Sequence, residues 1–363
     1  MTRGPLAVCY GTRPQVIKAS MLIEACKARF PLLTLDTGQH YDYKLNEVFY
    51  EQLGVQKPDH FLEVGSGAHA VQTSAVLTRA AAVFESARPR AVVVIGDTNS
   101  TLGCALAAAQ MRIPVVHVEA GLRAADRGMA EEINRRMVDA LADLLCAPSA
   151  AAQAQLALEH QSGTIEFTGD IAHDVLRRNL SRARPPAGEA EWPLAEGTDY
   201  AIATLHRAEL TANPDVLQAT VASLRSLPLP VVFPVHPRVS AAMSALGLTS
   251  GGMLHVMPPL GYFEMIGAIR DACVVVTDSG GVQREAYWLG IPCVTMRTET
   301  EWHETVTLGA NVLVAPANAK ADLATVVAER LGAERTWDRG AYGSGDAAVR
   351  IASAIGNLDR ALA

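Results

Sequence analysis

Short β-branched runs recur along the whole chain, separated by longer Ala- and Leu-rich stretches. The runs cover residues 6–10, 33–37, 91–95, 115–118, 144–147 and 165–168, and then 200–204, 231–235, 254–257, 274–277, 293–296 and 311–314. A strand with one wet face alternates apolar and polar residues. Near-continuous apolar strands instead suit a parallel sheet covered on both faces. Strand–helix alternation in two series of six predicts an α/β protein with two doubly wound, Rossmann-like domains. A length of 363 residues is ample for two.

The join is expected within 170–195. There Arg177, Arg178, Arg182 and Arg184 lead into Pro185-Pro186-Ala187-Gly188, a polar, Pro-containing stretch suited to a loop. This puts an N-terminal domain at 1–170 and a C-terminal domain at 171–345. Residues 346–363, with Val349, Ile351, Ile355 and Leu358, read as a terminal helix expected to pack back on the first domain.

Composition narrows the function classes. The formal net charge is -7, the opposite sign from a protein that lives on nucleic acid or an anionic membrane. The six cysteines form no C-x-x-C pair and mostly lie in apolar stretches, as expected of reduced core residues in the cytoplasm. The apolar run 6–10 is too short for a secretion signal, and no run approaches the roughly 20 residues that span a bilayer.

In open parallel sheets ligands bind outside the carboxyl ends of the strands. The residues that follow the runs are unusually polar: Gly11-Thr12-Arg13-Pro14, Gly96-Asp97-Thr98, Glu119, His206-Arg207, His236-Pro237-Arg238 and Asp278-Ser279-Gly280-Gly281. Six such placements across both halves predict two domains facing one cleft.

Arg13 and Lys18 bring positive charge to a helix N-terminus that already favours anions; a plain turn with surface cations is the alternative. Ser279, Gly280 and Gly281 open another helix, whose free N–H groups suit a diphosphate or merely an ordinary cap. Glu285, one turn further, suits ribose hydroxyls or solvent. Asp97 and Glu119 end neighbouring strands, where packing alone explains a carboxylate poorly; a general acid/base pair would explain them, and the alternative is that one of them caps a helix or pairs with Arg123 or Arg13. Glu131 and Arg135 are four apart on a helix with an expected apolar face of Ile133, Met137, Leu141, Leu144 and Leu145, so a surface ion pair competes with a catalytic role. His206 and His236 suit either a ligand contact or a structural hydrogen bond.

There is no G-x-x-x-x-G-K-[ST], G-x-S-x-G or H-E-x-x-H, and no cysteine zinc pattern. Residues 65–70 fail the dinucleotide pattern. Hydride, acyl-serine and zinc chemistry therefore lose support.

In order, these loops carry Gly11-Thr12-Arg13-Pro14-Gln15-Val16-Ile17-Lys18, Gly38-Gln39-His40, Gly96-Asp97-Thr98 and His117-Val118-Glu119-Ala120-Gly121-Leu122-Arg123. Glu131-Glu132-Ile133-Asn134-Arg135, His236-Pro237, Thr277-Asp278-Ser279-Gly280-Gly281-Val282-Gln283 and Arg297 with Thr300-Glu301 follow. Taken together the set resembles the non-hydrolysing UDP-N-acetylglucosamine 2-epimerases over almost the whole chain. The resemblance implies the glycosyltransferase-B arrangement, with UDP on the C-terminal domain and usually a homodimer. It implies inversion at C2 of UDP-GlcNAc to UDP-ManNAc, with neither NAD nor an essential metal. Loss of UDP from C1 makes the C2 hydrogen removable; UDP then re-adds to the 2-acetamidoglucal as C2 is protonated from the other face.

By resemblance, Asp97, Glu119, Glu131 and His206 are the catalytic candidates. Arg13, Lys18, Arg135, His236, Ser279, Gly280, Gly281, Glu285, Arg297 and Glu301 are the candidates for the phosphates, ribose and sugar. The sequence departs from the common pattern at Gln15, where Glu is frequent, at Ala130, where Pro is frequent, and at Trp302, where some members carry Arg. Gln39-His40-Tyr41-Asp42 lacks the following Arg of members regulated by a second UDP-GlcNAc. These forms look more like the branch acting on modified UDP-sugars such as diacetamido uronates. The rival readings are a hydrolysing 2-epimerase, told by free sugar, and a glycosyltransferase, told by dependence on an acceptor. A nucleotide-sugar binder would need none of the three carboxylates.

Overall fold

The computed structural model describes residues 4–39, 56–186, 192–207, 210 and 212–361. His40-Tyr41-Asp42, Ala187-Gly188 and the last two residues of the terminal segment lie outside that set. The chain divides into two compact units, Met1–Arg177 with Gly340–Ala363, and Arg178–Arg339.

In the first unit the strands are β1 (Leu6–Tyr10), β2 (Leu32–Asp36), β3 (His60–Phe61), β4 (Ala91–Ile95), β5 (Val115–Val118), β6 (Leu144–Ala147) and β7 (Thr164–Phe167). They form one parallel sheet in the order β3-β2-β1-β4-β5-β6-β7. The intervening helices are α1 (Arg13–Lys27), α2 (His69–Ala87), α3 (Asn99–Gln110), α4 (Ala130–Leu141), α5 (Ala150–Leu158) and α6 (Ile171–Asn179). This sheet has one strand more than the six expected. β3 is a two-residue edge strand with no apolar run to announce it.

The second unit holds β8 (Ala201–Thr204), β9 (Val231–Pro234), β10 (Leu254–Met257), β11 (Val274–Thr277), β12 (Cys293–Thr295) and β13 (Asn311–Leu313), parallel in the order β10-β9-β8-β11-β12-β13. Its helices are α7 (Pro214–Arg225), α8 (Pro237–Ala245), α9 (Tyr262–Arg270), α10 (Gly280–Leu289), α11 (His303–Thr307) and α12 (Ala319–Leu331). The chain then returns to the first unit as α13 (Ala347–Ala361). Ile351 and Ile355 of α13 enter the core formed by Leu6, Val8 and Leu22. Asp174 of α6 caps this helix, accepting the N–H groups of Ala347 at 3.0 Å and Ala348 at 2.8 Å.

The central strands of both sheets are buried on both faces, which is why they read as unbroken apolar runs. α2 and α3 approach closely because residue 103 is glycine. A Cβ there would meet Val76 Cγ1 at 2.6 Å and Thr73 O at 3.0 Å. Thr98 caps α3 by accepting the Thr101 N–H at 3.3 Å, which places the turn Gly96-Asp97 directly at the strand end.

The expected apolar face of α4 is turned around. Ile133 and Met137 are 48% and 46% exposed, whereas Glu132, Asn134, Arg135, Val138 and Asp139 are buried. Buried polar groups must be hydrogen-bonded: Asn134, Arg135 and Asp139 find partners around the ends of β4 and β5, and Glu132 bonds to the Ala124 N–H, Arg135 and Arg136. That network outweighs the burial of two aliphatic side chains.

Candidate active site

In the first unit the loop after β1 is tied to the loop after β4 by one amide. Gln15 Oε1 accepts the N–H groups of Gly11 at 2.9 Å and Thr12 at 3.2 Å. Its Nε2 donates to Ile95 O at 2.7 Å, Thr98 Oγ1 at 2.9 Å and Thr101 Oγ1 at 3.0 Å. Arg13 stands exposed at the start of α1. Lys18, one turn on, donates to both oxygens of Glu119, at 2.8 and 2.6 Å.

Glu119 is only 6% exposed and has φ 69°, a left-handed conformation that an L side chain adopts at a cost of about 1–2 kcal/mol. Gly96, on the adjacent strand end, has φ 67°, and a Cβ there would meet Glu119 Oε2 at 3.2 Å. Asp97 follows. Its Oδ2 accepts from Arg135 Nε at 2.9 Å and Nη2 at 2.5 Å, and its backbone oxygen accepts from Asn134 Nδ2 at 2.9 Å. Arg135 also reaches Glu132, at 3.4 Å, and Glu132 accepts the Ala124 N–H at 2.8 Å and Arg136 Nε at 2.7 Å.

Asp97, Glu119, Lys18 and Arg135 are therefore gathered at the ends of β4 and β5. Glu131 lies in the first turn of α4 with its side chain toward solvent; the partner of Arg135 is Asp97, not Glu131.

In the second unit Ser279 occupies the N-cap position of α10 without a side-chain capping bond, and the first residues of the helix are Gly280 and Gly281. A Cβ on Gly280 would lie 2.7 Å from Trp302 Nε1, whereas one on Gly281 would meet only Ser279 Oγ at 3.8 Å. The first turn of α10 contains no acidic residue, so its N–H groups suit an anion. Asp278 is buried. Its Oδ2 accepts the N–H groups of His206 and Arg207, both at 2.8 Å, and its Oδ1 lies 3.0 Å from His206 Nδ1.

The His206 and His236 rings are 6.2 Å apart. Partial burial, then the neighbouring His206 and Arg238, lower the His236 pKa. Both rings line a cavity of about 260 Å³ with Pro259, Leu260, Met265 and Val282 along its apolar side and Ser279 at its polar edge. Glu285 is half-buried on α10. Arg297 and Glu301 are buried and hold each other at 2.8 and 3.3 Å, an internal clamp on the loop after β12.

Sequence reasoning missed the cavity's apolar side and Asp139, and it named Asp278 and Asn134 within motifs without their supporting roles. Apolar residues at a pocket look like core residues in a sequence. Asn134 and Asp139 carried a signal: with Glu132 and Arg135 they make the buried face of α4 polar at all positions but Val138. Among the described residues no group of three His, Cys, Asp or Glu side chains is placed to hold a metal ion, and no helix is long and apolar enough to cross a membrane.

Two parallel-sheet units of this kind, with ligand loops at the carboxyl strand ends, define a Rossmann-like, glycosyltransferase-B-type enzyme. The sequence profile of the UDP-N-acetylglucosamine 2-epimerase family matches residues 24–356, and the chain belongs to that family. It is 41% identical to the UDP-2,3-diacetamido-2,3-dideoxy-D-glucuronate 2-epimerase of Pseudomonas aeruginosa over 96% of this chain and 98% of that one. The UDP-GlcNAc 2-epimerase of Methanocaldococcus jannaschii, solved in complex with UDP-GlcNAc and UDP, superposes with a TM-score of 0.85 at 34% identity. That match covers 97% of this chain and 99% of the other. The enzyme from Neisseria meningitidis bound to UDP-GlcNAc gives 0.86 at 25% identity, over 97% and 99%. The chain is thus an isomerase of the 2-epimerase type.

Proposed function

We propose that this protein is a non-hydrolysing 2-epimerase that interconverts UDP-GlcNAc and UDP-ManNAc. The observation that carries the reading is the pair of carboxylates, Asp97 and Glu119, at neighbouring strand ends, each hydrogen-bonded to its own cation. Inversion at C2 needs proton transfer on both faces of the sugar, and two separately held carboxylates suit it. Glu131, which matches a catalytic position of the family by resemblance, is a third proton-transfer group in this proposal.

Elimination comes first. The C1–O bond breaks, UDP leaves, and oxocarbenium character at C1 makes the C2 hydrogen removable by a carboxylate. The 2-acetamidoglucal then takes back UDP at C1 and a proton at C2 from the opposite face. Ser279, Gly280, Gly281 and His206 are assigned to the diphosphate, with Arg13 and Lys18 supplying further charge and His236 a ring hydrogen bond. Glu285 is assigned to the ribose. The apolar side of the cavity suits a pyrimidine base. Arg135 acts by holding Asp97, and Arg297 with Glu301 by shaping the loop after β12. No NAD and no metal are needed for these steps. The substrate is a cytoplasmic nucleotide sugar.

Proton NMR of UDP-GlcNAc with the enzyme in D₂O tests this. UDP-ManNAc carrying deuterium at C2 is expected. Free ManNAc with UDP would replace the proposal by a hydrolysing epimerase, and turnover only with an added acceptor would replace it by a transferase.

A second reading, a 2-epimerase of a UDP-diacetamido uronate, is favoured by the 41% identity to such an enzyme and by Trp302 beside Gly280. Comparing kcat/KM for the two UDP-sugars decides between them.

We also propose a homodimer. The exposed Ile133 of α4 borders a cavity of about 390 Å³ between α2, α3 and α4, and Met137 of α4 and Val71 of α2 are exposed as well. Sedimentation should show a dimer that Met137→Asp weakens; a monomeric parent protein would refute it.

A further inference from the structure

His117 is not among the residues assigned above, yet both catalytic turns depend on it. It sits on β5, fully buried. Its Nε2 lies 2.8 Å from Gly96 O, the carbonyl just before Asp97. Its Nδ1 lies 2.6 Å from Asp139 Oδ1. Its two ring nitrogens thus face a backbone carbonyl on one side and a carboxylate on the other. The second oxygen of Asp139 accepts the Gly121 N–H at 3.1 Å, two residues after Glu119, and Arg123 Nη1 at 2.7 Å. Arg123 is held in turn by Glu159, at 2.8 and 2.5 Å. One buried chain of bonds therefore runs from the turn that bears Asp97 to the turn that bears Glu119.

Those turns need restraint. Gly96, Glu119 and Gly121 all have positive φ, at 67°, 69° and 86°. The two glycines adopt this conformation without Cβ strain, whereas for Glu119 it is sparsely populated and persists only where its surroundings over-determine it. Lys18 and Arg135 fix the carboxylate ends, and His117 with Asp139 fixes the backbone beneath them. A displacement of about 1 Å at such a site can cost about 10²-fold in rate.

We infer that His117 and Asp139 are positioning residues that set the separation and aim of Asp97 and Glu119. They touch no substrate. The inference rests on the proposed catalytic role of those two carboxylates.

The test compares His117→Asn, His117→Gln, Asp139→Asn, Asp97→Asn and Glu119→Gln. An Asn amide falls near the Nδ1 position and keeps the Asp139 arm. A Gln amide falls near Nε2 and keeps the Gly96 arm. Turnover is followed by deuterium entry at C2, UDP affinity by calorimetry, and folding by thermal melting. Each His117 variant should lower kcat by about 10- to 100-fold with KM and UDP affinity within about twofold. Asp139→Asn should do the same.

If the His117 variants or Asp139→Asn melt earlier but keep the parent kcat per folded molecule, the network is scaffold only and the inference falls. If the His117 variants do not fold, Asp139→Asn decides alone, and a parent-like kcat in it overturns the inference. Full activity in Asp97→Asn and Glu119→Gln would instead remove the reading on which it rests, and that result is separate from the other arms.

Discussion

Glu119 is 6% exposed and gripped by Lys18, while the His206 side chain is 46% exposed at the mouth of its cavity. The contrast runs through both units. In the first, the ends of β4 and β5 are packed with paired charges: Asp97 with Arg135, Glu119 with Lys18, Glu132 with Arg136 and Asp139 with Arg123. In the second, His236 is exposed and Ser279, Gly280 and Gly281 are half-buried, at loop ends and helix starts. Proton transfer needs groups fixed to within a fraction of an ångström. Binding a flexible diphosphate needs accessible donors more than fixed ones. Under the proposed function, the first unit's buried polarity serves placement, while the second keeps Asp278 and the Arg297–Glu301 pair as buried supports and leaves its more accessible polar groups for the ligand.

The largest expected effect separates the two roles. Asp97→Asn and Glu119→Gln should each lower turnover by about 10²- to 10⁴-fold while UDP affinity stays nearly constant. UDP affinity lost along with turnover would break the division. Gly280→Ala probes the other side. The new Cβ would stand 2.7 Å from Trp302 Nε1, so the first turn of α10 must shift. UDP binding should weaken about tenfold, or about 1.4 kcal/mol, by calorimetry, and unchanged affinity would remove that turn from the cradle.

Gly96→Ala should have a mixed outcome. Its φ of 67° costs an L residue about 1–2 kcal/mol, and its Cβ would press on Glu119 Oε2. The melting temperature should fall by a few degrees and kcat by more than the stability loss explains. A fall in the melting temperature alone would mean that the turn tolerates displacement.

The smallest effect is a pH dependence of stability. The hydrogen bonds from Arg123 hold the Glu159 pKa down from 4.5 to about 2, against the opposing effect of burial. A carboxylate with a lowered folded pKa adds stability that is present above its unfolded value. That contribution is lost as pH falls toward 2. Denaturant unfolding should therefore show Glu159→Gln less stable than the parent at pH 6, with the gap closing between about pH 4.5 and 2. A gap constant with pH would mean that the pair contributes packing rather than charge.

Much of the fold was legible because it is local. Each interior strand declares itself as an unbroken apolar run, and each ligand loop as the polar residues that follow. β3 was not legible, since an edge strand of two residues has no pattern to read. The inverted α4 was misread for a related reason. Periodicity reports which residues share a face, but not which face meets the protein when the polar face has hydrogen-bond partners waiting.

Strand runs, turn glycines and the chain order of Asp97, Glu119, Ser279 and Gly280 follow from the sequence by itself, because propensity and periodicity act between near neighbours. Tertiary structure alone decided that Lys18 grips Glu119, that Arg135 turns to Asp97 rather than Glu131, and that His117 joins two turns 21 and 22 residues from its partners Gly96 and Asp139. Those bonds pair residues remote in the chain. They arise only once the parallel sheet has set β4 beside β5 and burial has made every unpaired charge costly.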